Sequence, residues 1–264
     1  MVIRLKLPRP AETATHIEEF IREQMEKAGR EKAVIALSGG VDSSLVATLA
    51  VRALGPERVI AHTLPDGEVT SEEDVQDAEE LAKSLGILCR RISIHAPLET
   101  FRETFTEVGL HGDPIAWANV KPRLRMIVNY FVANFENGLV LGTGNKSEWL
   151  IGYFTKGGDG LADILPIGHL YKTQVRQLAR FVGVPERIID KPPSAGLWKG
   201  QTDEGEIGLS YEEIDKILYC LHDRRMSVNQ TVKVLKTRKK YVQMIMDMMK
   251  ASEHKRKLPP IPSD

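Results

Sequence analysis

Short continuous apolar runs alternate along the chain with longer stretches in which apolar residues return every third or fourth position, and the two periods separate strands from helices. Residues 13–28 put Ile17, Phe20, Ile21 and Met25 on one helical stripe with charges opposite. Ala33 to Leu37 reads as a buried strand; after Ser38-Gly39-Gly40 an Ala/Leu/Val-rich helix begins, with Asp42, Ser43 and Ser44 in its first turn. Gly55-Pro56 punctuates the pattern, Arg58 to Leu64 forms a second strand, and Pro65-Asp66-Gly67 ends it. Thr70 or Ser71 caps a helix to about Leu85 with Ala78, Leu81, Ala82 and Leu85 inward; Gly86 stops it, and a third strand runs from Ile87 to Ile94 until Pro97 breaks it.

This alternation predicts an α/β fold, a doubly wound parallel sheet with right-handed crossovers, helices on both faces and further helices at the C-terminus. Residues 98–135 read as helical, with Pro122 near a helix start or at a kink, and Gly138 to Gly144 as a fourth strand entering a glycine turn. Asn145 to Gly160 mixes aromatics, glycines and charges with no single period, as a loop built around a ligand would. A short strand within Leu161–Ile167, a helix from Lys172 to Val182 and another turn of helix at Pro185 follow. Residues 191–208 have the length and Gly/Pro content of a mobile active-site loop or a disordered linker, and two helices, Ser210–Leu221 and Ser227–Lys250, close the chain.

A length of 264 residues is enough for one large domain or two small ones, and the unbroken pattern favours one. Lys+Arg and Asp+Glu both number 36, so no global field points to nucleic acid or an anionic membrane. The dense basic cluster Lys233, Lys236, Arg238, Lys239 and Lys240 shares its helix with the inward-spaced Leu235, Val242 and Ile245 and reads as a solvated face. Cys89 and Cys220 stand far apart without metal-ligand spacing and read as buried apolar residues in a reducing compartment. Met1 to Pro8 has too short an apolar run for a signal peptide, and no run of about 20 apolar residues could span a bilayer; the expectation is a cytoplasmic protein with no nucleic-acid or membrane partner.

The candidate chemistry starts at Ser38-Gly39-Gly40-Val41-Asp42-Ser43, a strand, a glycine turn and a helix N-terminus whose amides and dipole suit phosphate oxygens. It is not a Walker A loop, because no lysine follows the glycines. The form resembles the pyrophosphate loop of N-type ATP pyrophosphatases. With Asn119 to Met126, Gly142-Thr143, Glu148, Phe154 to Gly160, Ala162-Asp163, Lys172, Lys191 to Ala195, Gln201 to Glu204 and Glu253 to Lys255, the chain resembles ammonia-dependent NAD synthetases from Ser38 almost to its end.

That resemblance implies an adenine-nucleotide alpha-hydrolase-like fold in a single domain without a glutaminase. It implies amidation of deamido-NAD by ammonia through an adenylylated intermediate, with ATP as co-substrate, magnesium on Asp42 and Glu148, and a homodimer. It places Ser38, Gly39, Gly40, Val41, Asp42, Ser43, Thr143, Lys172 and Ser194 at ATP, and Arg123, Lys156, Asp163, His254 and Lys255 at deamido-NAD. Asp42, Glu148 and Lys172 would carry the catalysis. Magnesium, which prefers oxygen ligands and takes one or two carboxylates plus phosphates, suits such a pair. Glutamine-dependent synthetases of the same loop class need a cysteine nucleophile and more chain, tRNA thiolases need cysteine pairs, and a lysidine synthetase needs a basic face. A nucleotide sensor without chemistry would not need both acids.

Overall fold

The computed structural model describes residues 3–67 and 69–262, so Met1 and Val2 of the N-terminal run lie outside the described residues. The chain runs through α1 (Pro10–Ala28), β1 (Lys32–Ala36), α2 (Val41–Leu54), β2 (Val59–Thr63), α3 (Glu72–Leu85), β3 (Leu88–Arg91), α4 (His95–Glu107), α5 (Pro114–Phe135) and β4 (Gly138–Val140). It continues through α6 (Lys146–Ile151), α7 (Lys172–Val182), α8 (Glu186–Ile189), α9 (Asp203–Ile207), α10 (Tyr211–Leu218), α11 (Val228–Leu235) and α12 (Lys239–Ala251). The strands form one parallel sheet in the order β3-β2-β1-β4, with Val34 beside Ile60 on one flank and Val140 on the other.

Side chains of a strand alternate between faces, and β1 uses both. Ala33 and Ile35 pack with α1, α2, α3 and α7, around Ile17, Ile21, Leu45, Leu81 and Leu178. Val34 joins Ile60, Val140, Val132 and Ala133 under α5 on the opposite face. Helices therefore cover both sides, as the alternation predicts. A separate apolar cluster built from α6, α10, α11 and α12 holds the C-terminal helices together around Tyr211, Ile214, Val242 and Ile245.

Several elements depart from the expected ones. The third strand is shorter than Ile87–Ile94 because it is an edge strand, with Leu88 52 % exposed. Pro97 does not break it; it sits in the first turn of α4, where no amide is needed. Residues 98–135 form not one helical run but α4 and α5, separated by Gly109 and Gly112, both at positive φ, and restarted by the Asp113 cap before Pro114. Pro122 lies inside α5, buried against Gly158. Leu161–Ile167 contributes a single bridge, Leu141 to Ile164, in place of a strand. The last expected helix is split into α11 and α12, because Lys236 takes a left-handed conformation at φ 53°. Cys220 is buried but Cys89 only half so, while the basic cluster from Lys233 to Lys240 is solvated throughout. No helix among the described residues is long and apolar enough to cross a membrane.

The stretch expected to be a ligand loop, 145–160, begins instead with helix α6. Asn145 and Glu148 cap one another reciprocally, and Gly152 ends the helix at φ 72°. A Cβ on Gly152 would run into the side chain of Ser252, so this glycine also lets the chain's last turns approach α6. Gly152→Ala is expected to lower stability by about 1–3 kcal/mol through backbone strain and the clash, read as a reduced denaturation midpoint in urea.

Candidate active site

In an open parallel sheet, ligands bind beyond the carboxyl ends of the strands where the strand order reverses. Here the reversal lies between β1 and β4. A cavity of about 880 Å³ opens at that point, within the range of small-molecule sites. Its floor is the turn after β1. Gly39 adopts φ 77°, and its missing Cβ lets the turn press against the Asp74 carbonyl at the start of α3. The Ser43 hydroxyl donates to the Gly40 carbonyl (3.1 Å) and accepts from the Ser38 amide (3.2 Å), while the Ser44 hydroxyl donates to the same carbonyl (2.8 Å). These bonds shape the turn around the first turn of α2, where free amides and the helix dipole favour anions.

At one end of the cavity three charges converge from distant parts of the chain. The Lys172 ammonium, 3 % exposed, donates to Asp42 and to Glu148 Oε1 (3.2 Å). It lies 5.2 Å from the centre of the Tyr211 ring. Asn145 orients both acids: its Nδ2 donates to Asp42 Oδ1 (2.9 Å), and its backbone amide donates to Glu148 Oε2 (3.2 Å). Lys172 is held in turn because its backbone amide donates to the Ser147 hydroxyl (2.9 Å), which donates to the fully buried Asp215; the other Asp215 oxygen caps Thr173 (2.9 Å).

One ammonium cannot neutralise two carboxylates. Burial pushes the Glu148 carboxyl up to about 8, with Asp42 adding to the rise and Lys172 opposing it. Burial alone would lower the Lys172 pKa, but Asp42 and Glu148 more than offset it and raise it. Asp203, also on the cavity wall and donated to by the Tyr211 hydroxyl at 3.0 Å, adds further negative charge. The site is short of cationic charge, and a hard dication fits its donor chemistry. Among the described residues no group of three or more His, Cys, Asp and Glu could by itself hold a metal, so any ion would need oxygen ligands from a substrate or water as well.

The structure places every ATP-side residue singled out in the sequence on this cavity: Ser38 to Ser43, Thr143, Lys172 and Ser194, with Glu148 beside them. Lys255 also reaches its wall, donating to the Gly152 and Phe154 carbonyls (both 2.8 Å). Arg123, Lys156 and His254 are not on its lining and gather with one another: Arg123 donates to the Lys156 carbonyl (3.2 Å) and Lys156 to the His254 carbonyl (3.2 Å). Asp163 accepts from the Val140 amide (2.7 Å) and the Tyr130 hydroxyl (3.3 Å), pinning the end of β4.

Sequence reading missed two cations of α5. Arg125 lines the cavity and donates to the Leu64 carbonyl (3.2 Å). Arg123 and Arg125, two residues apart on a helix, point to different sides, and only packing decides which faces inward. Lys121 is buried with Asp66, their charged atoms 2.8 Å apart. The clue available was a lysine, Lys121, immediately before Pro122 in an otherwise apolar stripe.

A four-stranded parallel sheet whose reversal point holds a Ser-Gly-Gly-Val-Asp-Ser turn, a second acid and a shared lysine defines an ATP-using ligase of the adenine-nucleotide alpha-hydrolase fold. The chain belongs to the NAD synthase family, whose model matches residues 13–259. It is 49 % identical over 243 residues to the NH(3)-dependent NAD(+) synthetase of Archaeoglobus fulgidus, covering 92 % of this chain and 93 % of that one. Among solved structures it is similar to the NMN synthetase of Francisella tularensis, with a TM-score of 0.84, 38 % identity, and coverage of 97 % of this chain and 99 % of that one. It is also similar to the NH3-dependent NAD synthetase of Campylobacter jejuni in complex with the nitrate ion, with a TM-score of 0.81, 29 % identity and coverage of 96 % and 99 %.

The Asp66 carboxylate makes acid stability testable. Burial pushes its pKa up, but hydrogen bonds from Lys121 and from the amides of Val69 and Thr70 outweigh this and hold it down at about 2. A carboxyl whose folded pKa lies below its unfolded value of about 3.9 contributes stability that is complete above that value and lost as pH falls toward the folded one. Urea denaturation at pH 5 and at pH 2.5 is expected to show a larger loss for the wild type than for Asp66→Asn.

Proposed function

We propose that this chain catalyses the ATP-dependent amidation of deamido-NAD by ammonia, giving NAD, AMP and pyrophosphate. The observation that carries the reading is the meeting of Asp42, Glu148 and Lys172 at the end of a cavity floored by an anion-binding turn. A carboxylate is a poor acyl donor until one of its oxygens becomes a phosphate leaving group. Attack of the nicotinate carboxylate on the α-phosphorus of ATP breaks the bond to the bridging oxygen and releases pyrophosphate. Ammonia then attacks the acyl carbon, AMP departs and a proton is lost.

Both partners of the first step are anions, so the chemistry depends on placed positive charge. The turn from Ser38 to Ser43 offers amides and hydroxyls to the departing pyrophosphate, Thr143 and Ser194 offer hydroxyls from the cavity lining, and Lys172 offsets charge on the phosphates. Asp42 and Glu148 would hold magnesium, which when bound supplies further neutralisation of the triphosphate. Arg123, Lys156, Asp163, His254 and Lys255 are proposed for the dinucleotide, and Arg125 joins them from the cavity wall.

The likeness to an NMN synthetase raises a second reading, in which the corresponding mononucleotide is the acid amidated. The Arg123–Lys156–His254 cluster stands outside the cavity lining, which favours the longer substrate, because a dinucleotide can engage groups on the lining and beyond it. Incubation with ATP, magnesium and ammonium plus either acid tests this: NAD and AMP should form from deamido-NAD, and a higher kcat/KM on the mononucleotide would reverse the assignment. Asp42→Asn and Glu148→Gln are each expected to lower kcat by at least about 100-fold, about 2.7 kcal/mol of barrier, in that assay.

We also propose that the chain works as a homodimer through α5. Ile127, Phe131 and Phe135 stand on one face of the helix at four-residue intervals, 53 %, 68 % and 78 % exposed, a contiguous apolar stripe of the kind that marks an interface. Light scattering after gel filtration should give twice the chain mass, and the double substitution Phe131→Asp, Phe135→Asp should give a monomer.

A further inference from the structure

The segment from Lys191 to Thr202 forms one wall of the nucleotide cavity, with Ser194, Leu197 and Trp198 on its lining. It is tied firmly at its two ends. Lys191 makes ion pairs with Asp74 (2.7 Å) and Asp77 (2.5 Å) of α3, and at the far end Thr202 caps α9. Between these anchors the chain bonds to itself: Gly196 N donates to the Ser194 hydroxyl (3.1 Å), Leu197 N to Gln201 Oε1 (2.8 Å) and Gln201 N to the Trp198 carbonyl (3.2 Å). Among the described residues, the hydrogen bond that joins residues 194–200 to a part of the molecule outside 191–208 comes from Lys121, whose ammonium donates to the Leu197 carbonyl (2.8 Å).

Lys121 also pairs with Asp66 (2.8 Å), and both are buried, at 6 % and 0 % exposure. Asp66 Oδ1 in turn accepts from the amides of Val69 (2.7 Å) and Thr70 (3.1 Å), which holds the segment after β2 that also lines the same cavity through Pro65, Val69 and Thr70. A single ammonium on α5 thus joins two parts of the lining, one contributed by Pro65, Val69 and Thr70 and the other by residues 191–202, while neither Lys121 nor Asp66 lines the cavity itself. A buried ion pair that served stability alone could be replaced by apolar side chains at little cost. The bond to a loop carbonyl 76 residues away gives this pair a role that an apolar replacement would lose.

We propose that Lys121 is a positioning residue for the ATP step: anchored on Asp66, it latches residues 194–200 over the bound nucleotide. The inference rests on the reading of this cavity as the ATP site. The latch acts on how tightly the nucleotide is enclosed and leaves Asp42, Glu148 and Lys172 untouched. Its loss is therefore a loss of binding that ground state and transition state share, which raises KM with kcat unchanged.

Lys121→Met, which keeps most of the side-chain stem and removes the charge, tests the latch through two readouts on the full-length protein. KM for ATP should rise about 10-fold while kcat at saturating ATP stays within about twofold. Amide hydrogen exchange across residues 194–202 in the nucleotide-free protein should accelerate about 10-fold while α2 and α7 keep their protection. If Lys121→Met does not fold, Lys121→Gln, whose N–H donor sits on a side chain one atom shorter than the ammonium that reaches Leu197, is read the same way. Unchanged KM overturns the proposal, whether or not exchange accelerates, and so does a fall in kcat that follows the folded fraction. Failure of the ATP reading is seen separately, as a wild type without ATP-dependent turnover.

Discussion

The site depends on one buried ammonium shared between two carboxylates that come from different segments. Lys172 opens α7, Asp42 lies in the first turn of α2, and Glu148 is the third residue of α6. A charge out of water is tolerated only when it is paired and hydrogen-bonded, so the three helix starts must meet in one arrangement. Asn145, Ser147 and Asp215 fix that arrangement through bonds that also cap α6 and α7. The caps of α6 and α7 and the proposed catalytic cluster therefore draw on the same residues. The cluster stays short of positive charge, and that deficit suits it to a divalent ion and a polyphosphate.

Around this cluster the walls of the cavity differ in how they are held. The floor is a turn between a strand buried through its middle and a mostly buried helix, pressed through Gly39 onto α3, and the Ser43 and Ser44 hydroxyls bond back to the Gly40 carbonyl. Such a surface changes little when a ligand arrives, which is what preorganised anion binding requires. The wall formed by residues 191–202 has an ion-paired start, a capped end and a single lysine reaching its middle. Local opening concentrates where few contacts must break. Rigid floor and lightly tied wall together suit the proposed entry and enclosure of a large anion.

Much of this was legible in the sequence because it rests on local chemistry. A period of two against a period near four separates strand from helix wherever the elements are long. Glycine at Gly86 and serine at Ser71 mark ends through their own conformational and hydrogen-bonding preferences. Errors fell where tertiary context decides. β3 is trimmed because an edge strand has a neighbour on one side only, and Lys236 leaves the helical region inside a stretch whose apolar spacing continues past it. Residues 145–160 looked irregular because a helix of six residues is too short to show a period.

The sequence by itself determined the parallel α/β order and the glycine turn at Ser38 to Ser43, since each is written in neighbouring residues whose propensities agree, while Glu148 was singled out only through the family resemblance. Only the tertiary structure decided that Lys172 bridges Asp42 and Glu148, that Arg125 and not Arg123 faces the cavity, and that Lys121 reaches Leu197. Those pairings join residues from 24 to 130 positions apart. Which side chains meet across such spans depends on how helices pack on a shared sheet, and no local pattern of hydrophobicity or charge encodes it.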